Sequence, residues 1–330
     1  MATTLPFGTC IGIGAETTRG TAVSRTNWTE VISCELAEVA TYERFNVLQC
    51  EAASGGRILS DLVSKRVSGR LVLPMQYAGM GFWLENMLGT VSTTGSNPYV
   101  HTYTVGPQPP RYLTLEKIIG GTARRELYTG ICVVGWRIVI SRLALVRMEL
   151  DLLGFDSDGF AAAGTPSLGA AVNTRAVKGR HLDNAASGIP GQITWNGNNY
   201  EVQEVTISAN LGLSDVNDIG SFYPTAVDQG TERLFTVQAS IRHTGTASEA
   251  LRTAHLAQTS SNMTFGFTGD AANQGAAFTL RNAEISDLPA TPLSGNGRVI
   301  IRPTWTVHAD SSNPEIDIAI TNTDATHSTN

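Results

Sequence analysis

Six histidines could supply metal ligands or a general base: His101, His181, His243, His255, His308 and His327. Zinc hydrolysis needs two of them one helical turn apart, as in HExxH, and no pair has that spacing. No GxSxG elbow offers a nucleophilic serine. GIGAETTRG (Gly12–Gly20) has a superficial likeness to a phosphate loop, but it lacks the GK[ST] ending and no α/β alternation surrounds it. The close carboxylate pairs Asp215/Asp218 and Asp156/Asp158 sit in turn-like stretches, where solvated turn residues outnumber acid–base pairs. Asn27 and Asn262 begin glycosylation triplets, which mean nothing without a secretory signal. Cys10, Cys34, Cys50 and Cys132 have no CxxC spacing and read as reduced, mostly buried thiols. These residues predict no enzyme, no cofactor and no metal centre.

One polar segment remains. AASGGRILSDLVSKR (Ala52–Arg66) starts at a Gly-Gly pair and mixes Arg57, Asp61, Lys65 and Arg66 with Ile58, Leu59, Leu62 and Val63. It reads either as a hairpin tip covering its own domain or as an arm laid against a neighbouring subunit. In the second case the apolar residues need a surface to bury them and the charged rim sets register. Arg57, Ile58, Leu59, Asp61, Leu62, Lys65 and Arg66 are then candidate interface residues. AVDQGTER (Ala226–Arg233) is a further candidate through Glu232 and Arg233, as is the N-terminal stretch Ala2–Arg25.

Bulk properties narrow the partners. Charged residues are 16% of 330, against about 25% in ordinary domains. Either hydroxyl- and amide-rich strands cover a monomer, or much of the surface is buried in an assembly. Net charge is −6, all of it in residues 166–330, so a surface that grips nucleic acid is disfavoured. There are 3 lysines against 20 arginines; Arg suits fixed interfacial ion pairs, although a GC-rich genome gives the same bias. Neither a signal peptide nor a run of 18 apolar residues is present, which predicts assembly in a cytoplasm without a membrane span.

The elements can be read from periodicity. RVSGRLVLPM alternates Val67, Gly69, Leu71, Leu73 and Met75 with polar positions, so it predicts a half-buried strand. A bend and a short helix come next, with Met80, Trp83, Leu84, Met87 and Leu88 at helical spacing and Gly89 placed to end it. The same strand–bend–helix order returns 168 positions later. There Phe235, Val237, Ala239 and Ile241 face in, Thr246 or Ser248 caps a helix, and Leu251, Ala254 and Leu256 form its apolar side. A second pair of strands, through Trp136–Ile140 and Val146–Leu152, recurs near Val299–Val307 at an offset of about 153. The second copy is then shorter around Ser92–Tyr112, a segment expected to project outward or to touch a neighbour. Few helices and many turn signals predict a mainly β chain of two tandem sandwich or barrel domains, each with one flanking helix. The boundaries are 1–154, a linker or crossing segment 155–191, and 192–330.

Several stretches resemble the tail tube proteins of long-tailed phages. GIGAETTRGTAVSRTNWTEV is similar to their G-x-E-x-x-x-G-T opening. VSGRLVLPM with the helix ending in MLGT resembles the next part of the family pattern. The block from Tyr99 to Ser141, with its P…LT strand and Y-x-G step, resembles the part after that. The resemblance covers most of residues 8–154 and weakens afterwards. It implies β-sandwich or barrel domains with a flanking helix, stacked in rings around a channel for viral DNA. It also implies a tape measure protein and a tail terminator as partners. Rings of this kind usually hold six tube domains, so a duplicated chain predicts trimeric rings with pseudo-sixfold symmetry. A decoration or capsid protein, and a glycan-binding β module, remain as alternatives; the second calls for exposed aromatic residues.

Overall fold

The computed structural model describes residues 10–47, 57–106, 111–119, 124–161, 176–183, 190–219, 221–243, 246–271, 273–289 and 299–326. The N-terminal half runs β1 (Cys10–Ala15), β2 (Asn27–Glu30), β3 (Ser33–Cys34), β4 (Ala37–Val47), β5 (Arg57–Pro74), α1 (Gly81–Leu88), β6 (Gly89–Gly95), β7 (Tyr99–Val105), β8 (Leu113–Ile119), β9 (Arg124–Ser141), β10 (Arg147–Gly154) and β11 (Asp156–Ala161). The C-terminal half runs β12 (Leu182–Asp183), β13 (Gln192–Trp195), β14 (Asn198–Asn210), β15 (Leu213–Val216), β16 (Ala226–Gln229), β17 (Leu234–Arg242), α2 (Thr246–Leu256), β18 (Ser260–Thr268), β19 (Gly275–Asp287), β20 (Ile300–Ile301), β21 (Thr304–Val307) and β22 (Ile316–Asn322). The molecule is mainly β, and all of these strand pairings are antiparallel.

Strand order recurs. In the first half β4 pairs with β5, β5 with β10, and β10 with β9. In the second, β14 pairs with β17, β17 with β20 and β21, and β21 with β19. Register recurs as well. Leu73 lies opposite Met148, and Ile241 lies opposite Ile301. Leu73 and Ile241 are 168 apart, Met148 and Ile301 are 153 apart, so the two offsets read from the sequence meet in one pairing. A β-bulge returns too: β9 skips Val134 between Val133 and Gly135, and β19 skips Ser286 between Ile285 and Asp287. Bulges bend a strand at a fixed place and are kept for that reason.

The two sets are hydrogen-bonded to each other. The second edge of β9 pairs with β14, from Ser141 opposite Glu204 to Gly135 opposite Asn210. Eight strands therefore run in the order β4–β5–β10–β9–β14–β17–β21–β19. β9 can serve this sheet and another because it bends at Gly130, where φ is +63°. A Cβ there would fall 2.0 Å from the Phe155 ring, so only glycine fits. Before the bend β9 pairs with β8 and β11, after it with β10 and β14.

Alternation decides the faces. Val67, Leu71 and Leu73 of β5 and Phe235, Val237, Ala239 and Ile241 of β17 are at most 1% exposed. They share one buried cluster with Trp83, Trp136, Trp195 and Trp305, which draws on both halves. Trp195 and Trp305 meet edge to face at 5.8 Å, the orientation their ring quadrupoles favour. α1 buries Trp83, Leu84, Met87 and Leu88, and Gly89 ends it at φ +109° by donating to the Glu85 carbonyl. In α2 the expected apolar side is shorter: Leu251 and Ala254 are buried, but Leu256 is 75% exposed. Leu256 follows Leu251 by five residues and Ala254 by two, which at about 3.6 residues per turn puts it on the opposite side of α2 from the face held against β14 and β19.

The described part of Ser92–Tyr112 lies against the C-terminal half of the same chain. β6 and β7 form a hairpin that pairs on β22, with Tyr103 opposite Ile318. Buried His101 locks it there: its Nδ1 meets Thr93 Oγ1 at 2.9 Å, and its Nε2 meets the Asp324 carbonyl at 2.9 Å and Asn322 Oδ1 at 3.2 Å. Of Phe155–Gly191, the described parts are pinned at both ends. β11 lies on β9, Val177 donates to the Met75 carbonyl, and Leu182 pairs with Phe267 of β18.

Candidate assembly interface

The Ala52–Arg66 segment belongs to a two-stranded ribbon. β4 and β5 pair from Ala37 opposite Ser68 out to Val47 opposite Arg57, with a bulge at Val63. β10 covers β5 only from Val67 onward, so the outer ribbon has no third strand among the described residues. Arg57, Ile58 and Leu59 lie in β5, opposite Val47, Asn46 and Phe45. Ala52–Gly56 falls outside the described residues. Asp61 and Arg66 are exposed, while Leu62 and Lys65 are half-buried. Val39, Tyr42 and Val63 expose 41%, 59% and 46% of their surface. Exposed apolar area grouped in this way is the kind of surface that interaction sites present.

The base of the ribbon is tied to the second half. The Lys65 amide donates to the Phe222 carbonyl at 2.7 Å, and Arg66 approaches Asp215 at 3.6 Å. Lys65 also pairs with Glu38 across the ribbon at 3.0 Å. Glu232 and Arg233 are not brought to the same spot. They come after β16, at the other end of the β15–β16 hairpin, where Glu232 is exposed and Arg233 donates to the Gly106 carbonyl at 3.0 Å. The seven ribbon residues are therefore one group, and those two are another.

The second feature is a strand edge. β4 pairs with β5 on one side, and no described strand covers its other side. Its counterpart β14 has that side covered by β9. Unpaired backbone donors and acceptors along eleven residues are a template for another strand.

The third is the polar face of the eight-strand sheet. Arg70 bonds Asp151 at 3.0 Å and lies 3.7 Å from Glu149, and Arg137 bonds Glu149 at 2.7 Å. Ser208 meets Thr236 at 2.8 Å in the same rung. Farther along, Arg242 pairs with Glu201 at 3.1 Å. These arginines have carboxylates within reach on neighbouring strands, whereas Arg147, exposed on the same face of β10, has no ion pair among the described residues.

A clamp that sequence reading missed sits at the bend of β9. Glu16, of the G-x-E opening, accepts from the Gly130 amide at 2.8 Å, Thr114 Oγ1 at 3.0 Å and the Gly20 amide at 2.7 Å. Gly130 belongs to the Y-x-G step, so two separate motifs meet there. Nothing in either motif signals the other, because the pairing depends on β1, β8 and β9 lying side by side. Glu16→Ala is expected to lower unfolding free energy by about 2–3 kcal/mol, since it strands the buried Gly130 amide and removes the charge-assisted bond from Thr114, while the exposed Gly20 amide turns to water. Glu16→Gln should recover part of the loss. Urea titration checks both.

The described thiols are held in their protonated form. Burial pushes Cys132 up to about 12 and Cys10 up to about 11, the latter with help from the Glu116 carboxylate, and Cys34 is raised as well. All three are free; Cys50 lies outside the described residues. Among the described residues no group of His, Cys, Asp and Glu could hold a metal, and no helix is long and apolar enough to cross a membrane. All five tryptophans are buried, Trp28 being the most exposed at 7%, and the aromatic residues among the exposed large hydrophobics are Tyr42 at 59% and Phe222 at 56%.

No curated protein matches the chain. A family model described as phage tail tube protein matches residues 7–309, nearly its whole length. The chain therefore belongs to the phage tail tube protein family, and is a structural component of a phage tail.

Proposed function

We propose that this chain polymerises into stacked rings whose bore is the conduit for DNA ejection, each chain supplying two adjacent tube modules, 1–154 and 192–330, joined by 155–191. One observation carries the reading. β9 of the first module pairs with β14 of the second, while among the described residues no strand covers the outer side of β4 at one end or the outgoing end of β19 at the other. Repeating the internal junction between chains closes a ring. Three chains of eight strands each make a barrel of twenty-four strands and give trimers with pseudo-sixfold symmetry. Closure removes the open edges, which is the stable outcome for a sheet of this length.

The polar face then lines the bore. Self-compensated arginines among hydroxyls let phosphate pass without gripping it, because clustered free cations would hold DNA by counterion release. The tube reading brings a tape measure protein inside and a tail terminator at the end, with assembly in the host bacterial cytoplasm and a final place in the virion. No catalytic step is involved. Negative-stain images of the purified chain test this: tubes with a regular axial repeat are expected, with end views averaging to three copies and six similar lobes. A dispersed monomer at high concentration overturns it.

A further inference from the structure

The connection between β4 and β5 is a ribbon, but the same place in the second half is built differently. After Asn210 the chain turns at Gly212, where φ is +67° and a Cβ would sit 2.2 Å from the Thr231 carbonyl. The Gly212 carbonyl takes the amides of Gly230 at 2.8 Å and Thr231 at 3.2 Å, which closes the loop at its root. The chain beyond that root folds back as the β15–β16 hairpin instead of continuing β14 and β17 outward. Val227 is buried with Cys132, Leu153 and Phe155 of the first half, and Leu213 packs beside them. The hairpin then reaches the ribbon through Asp215, and its loop does so through Phe222. Ile219 and Phe222 on that loop, with Val39, Tyr42 and Val63 on the ribbon, are five of the ten exposed large hydrophobics among the described residues.

We infer that the β15–β16 hairpin is a brace: the second repeat has no arm of its own, and its hairpin fixes the angle of the first repeat's arm, so a ring presents three arms, not six, to the copies of this chain in the next ring. This rests on the tube reading of the previous subsection. The occupant is a second copy because the arm runs straight on from the open β4 edge, and because stacking needs a contact between unlike faces of identical subunits. An unbraced two-stranded ribbon is marginal in water, so its direction must be set by something else. Bracing in cis lowers the ordering cost of docking.

The test shortens the loop, replacing residues 217–224 with Gly-Gly in the full chain. The variant keeps β15, β16 and every residue of the hydrophobic clusters, Pro224 being the buried residue it removes. It is expected to form rings like the unmodified chain, with a critical concentration for tube growth at least about tenfold higher. Hydrogen exchange on unassembled protein should show the Lys65 amide losing protection in the variant. An unchanged Lys65 rate, an unchanged critical concentration, or six equivalent arm densities between rings in averaged images each overturns the brace. The exchange readout needs no tubes, so failure of the unmodified chain to assemble counts against the tube reading and leaves the brace decided by Lys65.

Discussion

Deleting Gly55–Lys65 yields a chain that folds, binds its neighbours sideways and does not lengthen into tubes. The segment removed contributes nothing to the core: the buried part of β5 starts at Val67, where β10 first pairs with it. The deletion takes away the outer ribbon, including Leu62, Val63 and the Lys65 amide that meets Phe222. Thermal unfolding should shift by only a few degrees, corresponding to about 1 kcal/mol or less for surface residues. Tube growth should fall below detection, because each ring-to-ring contact would lose its apolar side chains at every arm at once, and effects at repeated contacts compound. Circular dichroism and electron microscopy of the same preparation separate the two effects. Tubes of ordinary length from this variant would show that the ribbon is plain surface.

Much of the fold was legible because it rests on period two. Val67–Met75 and Phe235–Ile241 fix their own faces, and a slip by one residue would invert every side chain. The 168 and 153 offsets were legible for the same reason, and the Leu73–Met148 and Ile241–Ile301 pairings meet both. The family could be recognised from short motifs, yet the reason for those motifs could not. Glu16 and Gly130 are 114 positions apart, and only the pairing of β1, β8 and β9 shows that one holds the other. The same holds for the β9–β14 junction. Alternation says which face of a strand is buried, but both edges of a strand look alike in sequence, so neighbours across a long connection stay hidden. Leu256 failed for a local reason: it stands five residues after Leu251 and two after Ala254, a spacing that leaves the buried face of a helix.

Cysteines placed at Val39 and Asp287 should link separate copies into covalent trimers when assembled rings are oxidised. Inside the chain Gly135 lies opposite Asn210. Asp287 is the counterpart of Gly135, since each comes just after the shared bulge and pairs with β21 or β10 in the same way, at Thr304 and Asp151. Val39 is the counterpart of Asn210, since their partners on β5 and β17, Arg66 and Leu234, are 168 positions apart. If one chain's β4 sits on the next as β14 sits on β9, Val39 faces Asp287 of the neighbour. Directly opposed residues in antiparallel strands have Cα atoms about 4.5–5.5 Å apart, within disulfide range. Within one chain the two lie at opposite ends of the eight-strand sheet, seven spacings of about 4.8 Å apart along it, so an internal bridge is excluded. Both positions are solvent-exposed in the single chain, and neither Val39→Cys nor Asp287→Cys alone should link. Non-reducing gels should show two bands above the monomer and nothing beyond three copies, all returning to monomer with reductant. A ladder reaching six would replace the threefold ring with one of six chains. Assembled tubes that refuse to link at all would mean that the internal junction is not the one repeated between chains, and the closed barrel would have to be abandoned.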